Sequence, residues 1–236
     1  MCTVTIVPND DGIRLVCNRD ERRDRPAAIR PMNRLLPHRT AIYPQDPLGG
    51  GTWVGGNDAG LVAALLNRSV NAGVPVGERP LRSRGLIIPL LLDAGSVTEA
   101  VDMAADLYPA RFNPFRLVVL QGMVGCVLTS DGLRLSVETR AVTRPQMLTS
   151  SSLGDGLVFA PRQQLFERLM QRDGAWLQGQ AEFHDHQWAS HPEISVRMER
   201  ADARTVSRTI IDVTSRGIEL DYHPIEESAQ CAETAS

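Results

Sequence analysis

The residues best suited to chemistry lie at the start of the chain, where Cys2 precedes a polar and charged run at 17–21. Cysteine is small enough for the initiator Met1 to be removed ahead of it, which leaves a thiol and a free α-amine on one residue. Because an α-amine has a pKa of about 7.7 to 8.0 and a thiol one of about 8.5, the amine can accept the thiol proton near neutral pH. Cys2 is therefore a candidate nucleophile that carries its own base.

A predicted β-hairpin brings the charged run to Cys2. Residues 3–6 alternate between threonine and aliphatic side chains, a pattern typical of a half-buried strand. The Pro-Asn-Asp-Asp-Gly segment at 8–12 favours a turn, and 13–17 runs back as a second strand. Antiparallel pairing then places residues 17 and 18 alongside Cys2. The alternative is that Cys2 is only a small buried side chain on this strand.

The charged run supplies an amide, a guanidinium and two carboxylates, from Asn18, Arg19, Asp20 and Glu21. A guanidinium beside Cys2 would stabilise a thiolate or a developing oxyanion, and a carboxylate would orient an ammonium group. We predict that Arg19 and Asp20 are catalytic and that Asn18 and Glu21 contact a substrate. Since a shift of one residue along a strand reverses the side-chain face, the sequence leaves open which of them contacts Cys2. A solvated charged turn is the alternative.

Four short motifs follow one another in the first third of the chain. They are Met-Cys-Thr at 1–3, Asn-Arg-Asp-Glu at 18–21, Gly-Gly-Thr-Trp at 50–53 and Ser-Arg-Gly at 83–85. Together they resemble the NRDE family, also called the transport and Golgi organisation 2-like family, which is placed with the N-terminal nucleophile (Ntn) hydrolases. The resemblance implies an α+β fold, a four-layer αββα sandwich of two mainly antiparallel sheets.

The same resemblance implies two alternative functions. The first is an amidohydrolase that cleaves a non-peptide C–N amide bond through a thioacyl intermediate on Cys2. The second is a non-catalytic carrier of haem or a small apolar acid on the same scaffold, because family members have been linked to haem and lipid handling. Fold alone does not decide between them. No cofactor is predicted, with haem left open as a ligand.

The resemblance also points to site residues further along the chain. Asn67 ends a buried strand run, and in the resembled superfamily an asparagine in that place can donate to an oxyanion. Independently of the resemblance, the glycine-rich segment before Trp53 indicates a strand entry, and we predict that Trp53 lines the pocket and contacts a substrate, with simple packing as the alternative. Ser150 and Ser151 fall where the family shows Leu-Ser-Asn-Ser, with Ser150 in the asparagine position, and we predict that they contact the substrate. A hydroxyl donates one hydrogen bond where an amide donates two, so a loop of serines that bonds its own backbone is the alternative.

Length and composition narrow the class of protein. The 236 residues, 42% hydrophobic, can form one large domain, predicted over 1–223, with a flexible tail at 224–236. A net charge of −3 argues against a nucleic-acid partner, and no apolar run is long enough to span a membrane. We therefore expect a cytoplasmic protein whose partner is a small-molecule ligand or substrate, and we leave a homo-oligomer open.

The reactive residue types exclude several other mechanisms. The sequence has no lysine, and all 25 basic residues are arginine, which removes Schiff-base chemistry and a phosphate-loop lysine. The four cysteines lack metal-ligand spacing, so no metal site is predicted. His184 and His186 would share one face of a strand, whereas His184 and His191 would align on a helix, which keeps metal or haem ligation as an alternative.

The rest of the chain is predicted from its periodicity. The Pro- and Arg-rich segment 26–47 indicates a long surface loop, and consecutive strands from 115 to 149 indicate an antiparallel meander, unlike a dinucleotide-binding fold. The remaining predicted elements are a strand at 61–66, helices at 86–94 and 100–107, a helix that opens at Pro161, a short strand at 194–198 and a closing hairpin over 205–222.

Overall fold

The computed structural model describes residues 2–69, 82–171 and 174–226. In chain order the strands are β1 (Cys2–Asn9), β2 (Gly12–Arg22), β3 (Ile29–Leu35), β4 (Thr40–Gln45), β5 (Val54–Asn57), β6 (Leu61–Asn67), β7 (Phe115–Gln121), β8 (Val124–Ser130), β9 (Leu135–Ala141), β10 (Gln146–Thr149), β11 (Ala203–Thr214) and β12 (Gly217–Pro224). The helices are α1 (Ile87–Leu91), α2 (Val97–Ala105), α3 (Asp155–Met170) and α4 (Trp176–Asp185), with 3-10 turns at Arg84–Leu86, Pro109–Arg111 and Pro192–Ile194.

The strands form two antiparallel sheets. The first sheet has the order β10-β1-β2-β11-β12, so β1 and β2 lie in its interior. The second sheet follows the chain from β3 to β9 without a crossover, because each of its strands pairs with the next. The meander predicted after residue 115 is confirmed for β7, β8 and β9, whereas β10 leaves it to pair with β1 in the other sheet.

Three hydrophobic cores separate four layers. The central core lies between the two sheets and includes Val4 and Leu15 from one and Val62 from the other. A second core packs α1 and α2 against the outer face of the seven-stranded sheet, and a third packs α3 and α4 against the five-stranded sheet. Each fully buried aliphatic side chain stabilises such a core by about 1.5–3 kcal/mol. The predicted α+β sandwich with the layer order αββα is confirmed.

The predicted loop at 26–47 is wrong, because β3 and β4 lie within it. β3 is an edge strand whose side chains are mostly exposed, so it lacks the apolar alternation by which a buried strand is recognised. Its proline, Pro31, lies beside an irregularity in the pairing between Ile29 and Met32, as edge strands tolerate. These two strands place Asp46 at the rim of the site described below.

Two further boundaries differ from the sequence predictions. α3 begins at Asp155, after Gly154 with a φ of 110°, and Pro161 lies inside the helix. The segment predicted as a strand at 194–198 is a 3-10 turn followed by irregular backbone, because its carbonyl groups accept hydrogen bonds from side chains of Arg162 and Asn18.

The closing hairpin is confirmed as β11 and β12, and β12 extends to Pro224. Ile225, which falls within the predicted tail, donates its N–H to the carbonyl of Val206. Residues 227–236, with Cys231, lie outside the described residues. Among the helices that the structure describes, none is long and apolar enough to cross a membrane.

Candidate active site

The β1–β2 hairpin places Cys2 directly opposite Arg19, one residue further along β2 than the sequence predicts. Cys2, Cys17 and Arg19 have their side chains on the face of the sheet that looks towards the second sheet. Thr3 and Asn18 pair with each other on the opposite face, towards the helices. The register therefore divides the Asn-Arg-Asp-Glu motif between two surfaces.

A cavity of about 420 Å³ opens at this end of the sandwich. Six residues predicted from the sequence line it: Cys2, Arg19, Asp20, Glu21, Trp53 and Asn67. Arg25, Asp46, Arg84 and Arg200 also line it, and none of them was predicted as a site residue. Cys2 is 4% exposed, so its thiol lies at the floor of the cavity rather than at the surface.

The Cys2 thiol has a neighbouring thiol as its main electrostatic partner. A hydrogen bond from Cys17 lowers the pKa of Cys2, against the opposing effects of burial and of the Asp20 charge, and Arg19 adds to the lowering. The same hydrogen bond and burial raise the pKa of Cys17 well above its ordinary value. Cys2 is therefore the thiol of this pair that ionises first, and both are free cysteines.

Removal of the Cys17 thiol should make Cys2 less acidic. In Cys17→Ala the Cys2 thiolate loses its hydrogen-bond donor while it stays buried, so the pKa of Cys2 should rise. The rate of alkylation of Cys2 by iodoacetamide, followed as a function of pH by peptide mass, should then have its midpoint at a higher pH than in the unsubstituted protein. An unchanged or lower midpoint would mean that Cys17 does not stabilise the thiolate.

Arg19 is held in a network of carboxylates. Its Nη2 donates to Asp46 Oδ2 at 2.9 Å and to Glu21 Oε2 at 3.3 Å, and its Cζ lies 4.1 Å from the ring centroid of Trp53. Asp46 also accepts from Arg25 at 2.6 Å. Although burial raises the pKa of Asp46, the hydrogen bond from Arg25, the Gly49 N–H and the charge of Arg19 lower it overall. The network fixes the guanidinium beside Cys2 and stacks it on Trp53.

Asp20 is 2% exposed and accepts a hydrogen bond from the Thr205 hydroxyl at 2.7 Å. Burial raises the pKa of this carboxyl, while the positive charge of Arg162 acts in the opposite direction. The pairing of β11 with β2 is irregular between Thr205 and Ser207, next to Arg19 and Asp20. Asp20 thus brings a buried negative charge to the wall of the cavity.

The loop after β10 holds the main chain of Cys2. The Cys2 N–H donates to Ser150 Oγ at 3.3 Å, and the Ser150 N–H donates to the Cys2 carbonyl at 3.0 Å. Ser151 accepts a hydrogen bond from the Leu153 N–H. Neither serine lines the cavity, whereas Ser152 does. Their placement supports a role in positioning Cys2 and the loop, and gives no support to the predicted contact with a substrate.

Asn18 likewise lies away from the cavity. Its Nδ2 donates to the carbonyl of His184 at 2.8 Å and to that of Val196 at 3.2 Å, which ties β2 to the helical layer. The prediction that Asn18 contacts a substrate has no support in this placement. Asn67, by contrast, ends β6 at the cavity wall, where its amide can reach a bound molecule.

The family model described as Transport and Golgi organisation 2 matches residues 1–184. The chain belongs to this family. The resemblance predicted from the four sequence motifs is therefore confirmed. A search of curated protein sequences gives no significant match.

Solved structures similar to this Transport and Golgi organisation 2 family member include Ntn hydrolases. The Caenorhabditis elegans N-acylethanolamine-hydrolyzing acid amidase ortholog has a TM-score of 0.62 and 14% identity, over 93% of this chain and 100% of that one. Penicillin V acylase from Agrobacterium tumefaciens has a TM-score of 0.51 and 14% identity, over 95% and 86%. A variant of conjugated bile acid hydrolase from Clostridium perfringens has a TM-score of 0.52 and 12% identity, over 97% of both chains. At these identities the comparison shows the fold.

Two of the four sequence motifs meet at the cavity wall. The Thr52 N–H donates to the carbonyl of Gly85 at 2.9 Å, and a Cβ placed on Gly51 would lie 2.2 Å from the Gly85 carbonyl carbon. The absence of a side chain at Gly51 therefore permits this approach of the two backbones. As a result, Arg84 of the Ser-Arg-Gly motif lines the cavity.

The three histidines do not converge on a ligand. His184 is fully buried on α4, its Nε2 lies 2.7 Å from the Thr5 hydroxyl, and burial lowers its pKa well below the ordinary value. His186 packs edge-to-face against Trp188 beyond the end of α4. Over residues 2–69, 82–171 and 174–226 no group of three or more His, Cys, Asp or Glu could hold a metal ion. His191 Nδ1 lies 3.4 Å from Glu193 Oε1, so the three imidazoles contact different neighbours.

Proposed function

We propose that the chain is an Ntn cysteine amidohydrolase that cleaves a non-peptide C–N amide bond through a thioacyl intermediate. One observation carries the proposal: the Cys2 thiol lies at the floor of a cavity, with its pKa lowered, and its main-chain nitrogen is held by Ser150 Oγ. Met1 lies outside the described residues. In a chain that begins at Cys2, the nitrogen held by Ser150 would be the α-amine.

The first half of the reaction is acylation. The Cys2 Sγ attacks the amide carbonyl carbon while the α-amine accepts the thiol proton. The carbonyl π electrons move to the oxygen, and the oxyanion accepts hydrogen bonds from Asn67 and from backbone N–H groups. When the tetrahedral intermediate collapses, the C–N bond breaks and the α-ammonium gives its proton to the leaving amine. The acyl group stays on Cys2 as a thioester.

The second half is hydrolysis of that thioester. Water attacks the acyl carbon and gives a proton to the α-amine. The C–S bond then breaks, the acid leaves, and the α-ammonium returns the proton to the Cys2 sulfur. The neighbouring charges serve each state: Arg19 stabilises the thiolate, and Asp20 stabilises the α-ammonium. In the cytoplasm, where we expect the protein to act, reducing conditions would keep Cys2 and Cys17 as thiols.

The lack of lysine makes the proposed base directly measurable. A chain that begins at Cys2 contains one primary amine, its α-amine, since every other basic side chain is arginine or histidine. Intact mass should show loss of Met1, and ¹⁵N-labelled protein should give a single primary-amine nuclear magnetic resonance signal whose pH titration reports the base. A purified, active protein that retains Met1 would contradict this mechanism.

Covalent capture tests the nucleophile. An electrophilic mimic of an N-acyl amine should add one acyl equivalent to the protein, and peptide mass should place it on Cys2 and not on Cys17 or Cys126. Prior alkylation of Cys2 should prevent the labelling. If the protein binds N-acyl amines without acylation or turnover, the carrier function is supported instead.

A further inference from the structure

We propose that Arg84 binds a carboxylate of the substrate, so that the amides cleaved are anionic, of the N-acyl amino acid class. This inference rests on the proposed amidohydrolase function and adds a substrate class to it. It starts from the charges that line the cavity around Cys2. Among those charges Arg84 differs from the other arginines in its partners.

The other cavity arginines are compensated by acidic side chains. Arg19 and Arg25 share Asp46 and Glu21, and Arg200 lies 3.7 Å from Asp202. Arg22 pairs with Asp24 at 2.6 Å. These arginines are therefore less available to an anionic ligand, because each would have to give up a carboxylate that it already contacts.

Arg84 has no such partner among the residues that the structure describes. Its Nη1 donates to the main-chain carbonyl of Pro114 at 2.9 Å, and this is the hydrogen bond that its guanidinium makes there. Burial lowers the pKa of Arg84, while the charges of Cys2 and Glu21 act in the opposite direction, as expected for a cation that faces the nucleophile. The remaining guanidinium N–H groups are thus available to a molecule in the cavity.

The turn that carries Arg84 is fixed in place. Ser83 caps the 3-10 turn Arg84–Leu86 by accepting from the Gly85 N–H, and the contact between Gly85 and Thr52 holds the turn against the segment that leads through Trp53 into β5. A cation in a defined position beside the nucleophile favours a substrate that carries its anion close to the scissile bond. A planar guanidinium with free N–H groups suits a carboxylate, which it can bind through two parallel hydrogen bonds.

A matched substrate pair tests the inference. N-octanoylglycine and N-octanoylglycinamide differ only in the charge next to the scissile amide. The unsubstituted protein should have the higher kcat/KM for N-octanoylglycine, and Arg84→Gln should lower that value by about 10- to 100-fold, as for loss of a charge-assisted hydrogen bond, while the value for the glycinamide changes little. Arg84→Lys should restore part of the preference because it keeps the charge but loses the planar geometry.

The controls separate specificity from folding and from catalysis. Arg82→Gln changes an exposed arginine two residues away that does not line the cavity, and should leave the preference unchanged. Thermal melting of each variant reports whether the fold is retained. A preference that survives Arg84→Gln would overturn the inference, and so would an equal loss for both substrates, which would place the effect of Arg84 on Cys2 instead.

Binding to an inactive protein distinguishes failure of this inference from failure of the proposed function. The dissociation constants of the two compounds, measured by calorimetry with Cys2→Ala and with Cys2→Ala combined with Arg84→Gln, need no turnover. If the Cys2→Ala protein prefers N-octanoylglycine and this preference depends on Arg84, while the unsubstituted protein cleaves neither compound, the carboxylate site is retained and the hydrolase function is rejected. Binding of both compounds without such a preference would reject the carboxylate site, and binding of neither would reject it as well.

Discussion

Replacement of Cys2 with alanine is expected to lower amide turnover by at least about 10³-fold, because the proposed acyl intermediate forms on its thiol. The α-amine would remain, yet it would have no thiol to deprotonate. Residual hydrolysis would come from the oxyanion donors and from bound water. The measurement is single-turnover acyl release from an N-acyl amine, with the covalent capture described above as a second readout.

The matched control for this prediction is Cys126→Ala. Cys126 is a free, buried cysteine that packs between the seven-stranded sheet and its helices, and burial raises its pKa to about 11. Its removal should leave turnover unchanged. If Cys2→Ala altered thermal stability alone and turnover persisted, Cys2 would be no more than a small packed side chain, as the alternative interpretation of the sequence holds.

Replacement of Arg162 with leucine is expected to lower the free energy of unfolding by about 3 to 5 kcal/mol. Arg162 is 1% exposed on α3 and donates to Thr3 Oγ1 at 2.8 Å and to Thr149 Oγ1 at 2.6 Å. It also donates to the carbonyls of Ile194 at 3.0 Å and Ser195 at 2.6 Å. Leucine would leave these acceptors buried without their donor and remove the charge that lowers the pKa of Asp20.

Urea denaturation followed by circular dichroism measures this effect. Arg168→Leu is the matched control, because Arg168 is an exposed arginine on the same helix and its loss should change stability by within about 0.5 kcal/mol. An Arg162→Leu protein with a stability within about 1 kcal/mol of the unsubstituted chain would show that the sheet and the helical layer do not depend on this side chain.

The sequence predicted the centre of the site better than its rim. Alternation in β1 and the Asp-Gly turn specify the first hairpin, so the charged run had to arrive near Cys2. The exact register was missed by one residue, because periodicity predicts a strand but not which residue of its neighbour lies opposite. That residue is Arg19, and the same shift turns Asn18 towards the helices.

The rim could not be predicted for a different reason. Asp46 reaches Arg19 through an exposed edge hairpin that has no apolar pattern, so local sequence gives no signal for it. Ser150 meets the Cys2 nitrogen because β10 crosses into the other sheet, a long-range pairing with a sequence separation of 148. For Arg84 the sequence offered only its place in the Ser-Arg-Gly motif. That Arg84 lines the cavity follows from the contact between Gly51 and Gly85, which the sequence does not show.

The main-chain contact between Gly85 and Thr52 has an evolutionary consequence. Because backbone atoms and the Ser83 cap hold the turn, the position of its backbone depends little on the side chain at 84. Mutation at this one codon could therefore exchange an anion-binding rim for a neutral or acidic one without loss of the scaffold. Divergence of substrate preference within such a lineage would need few steps and little compensating change elsewhere.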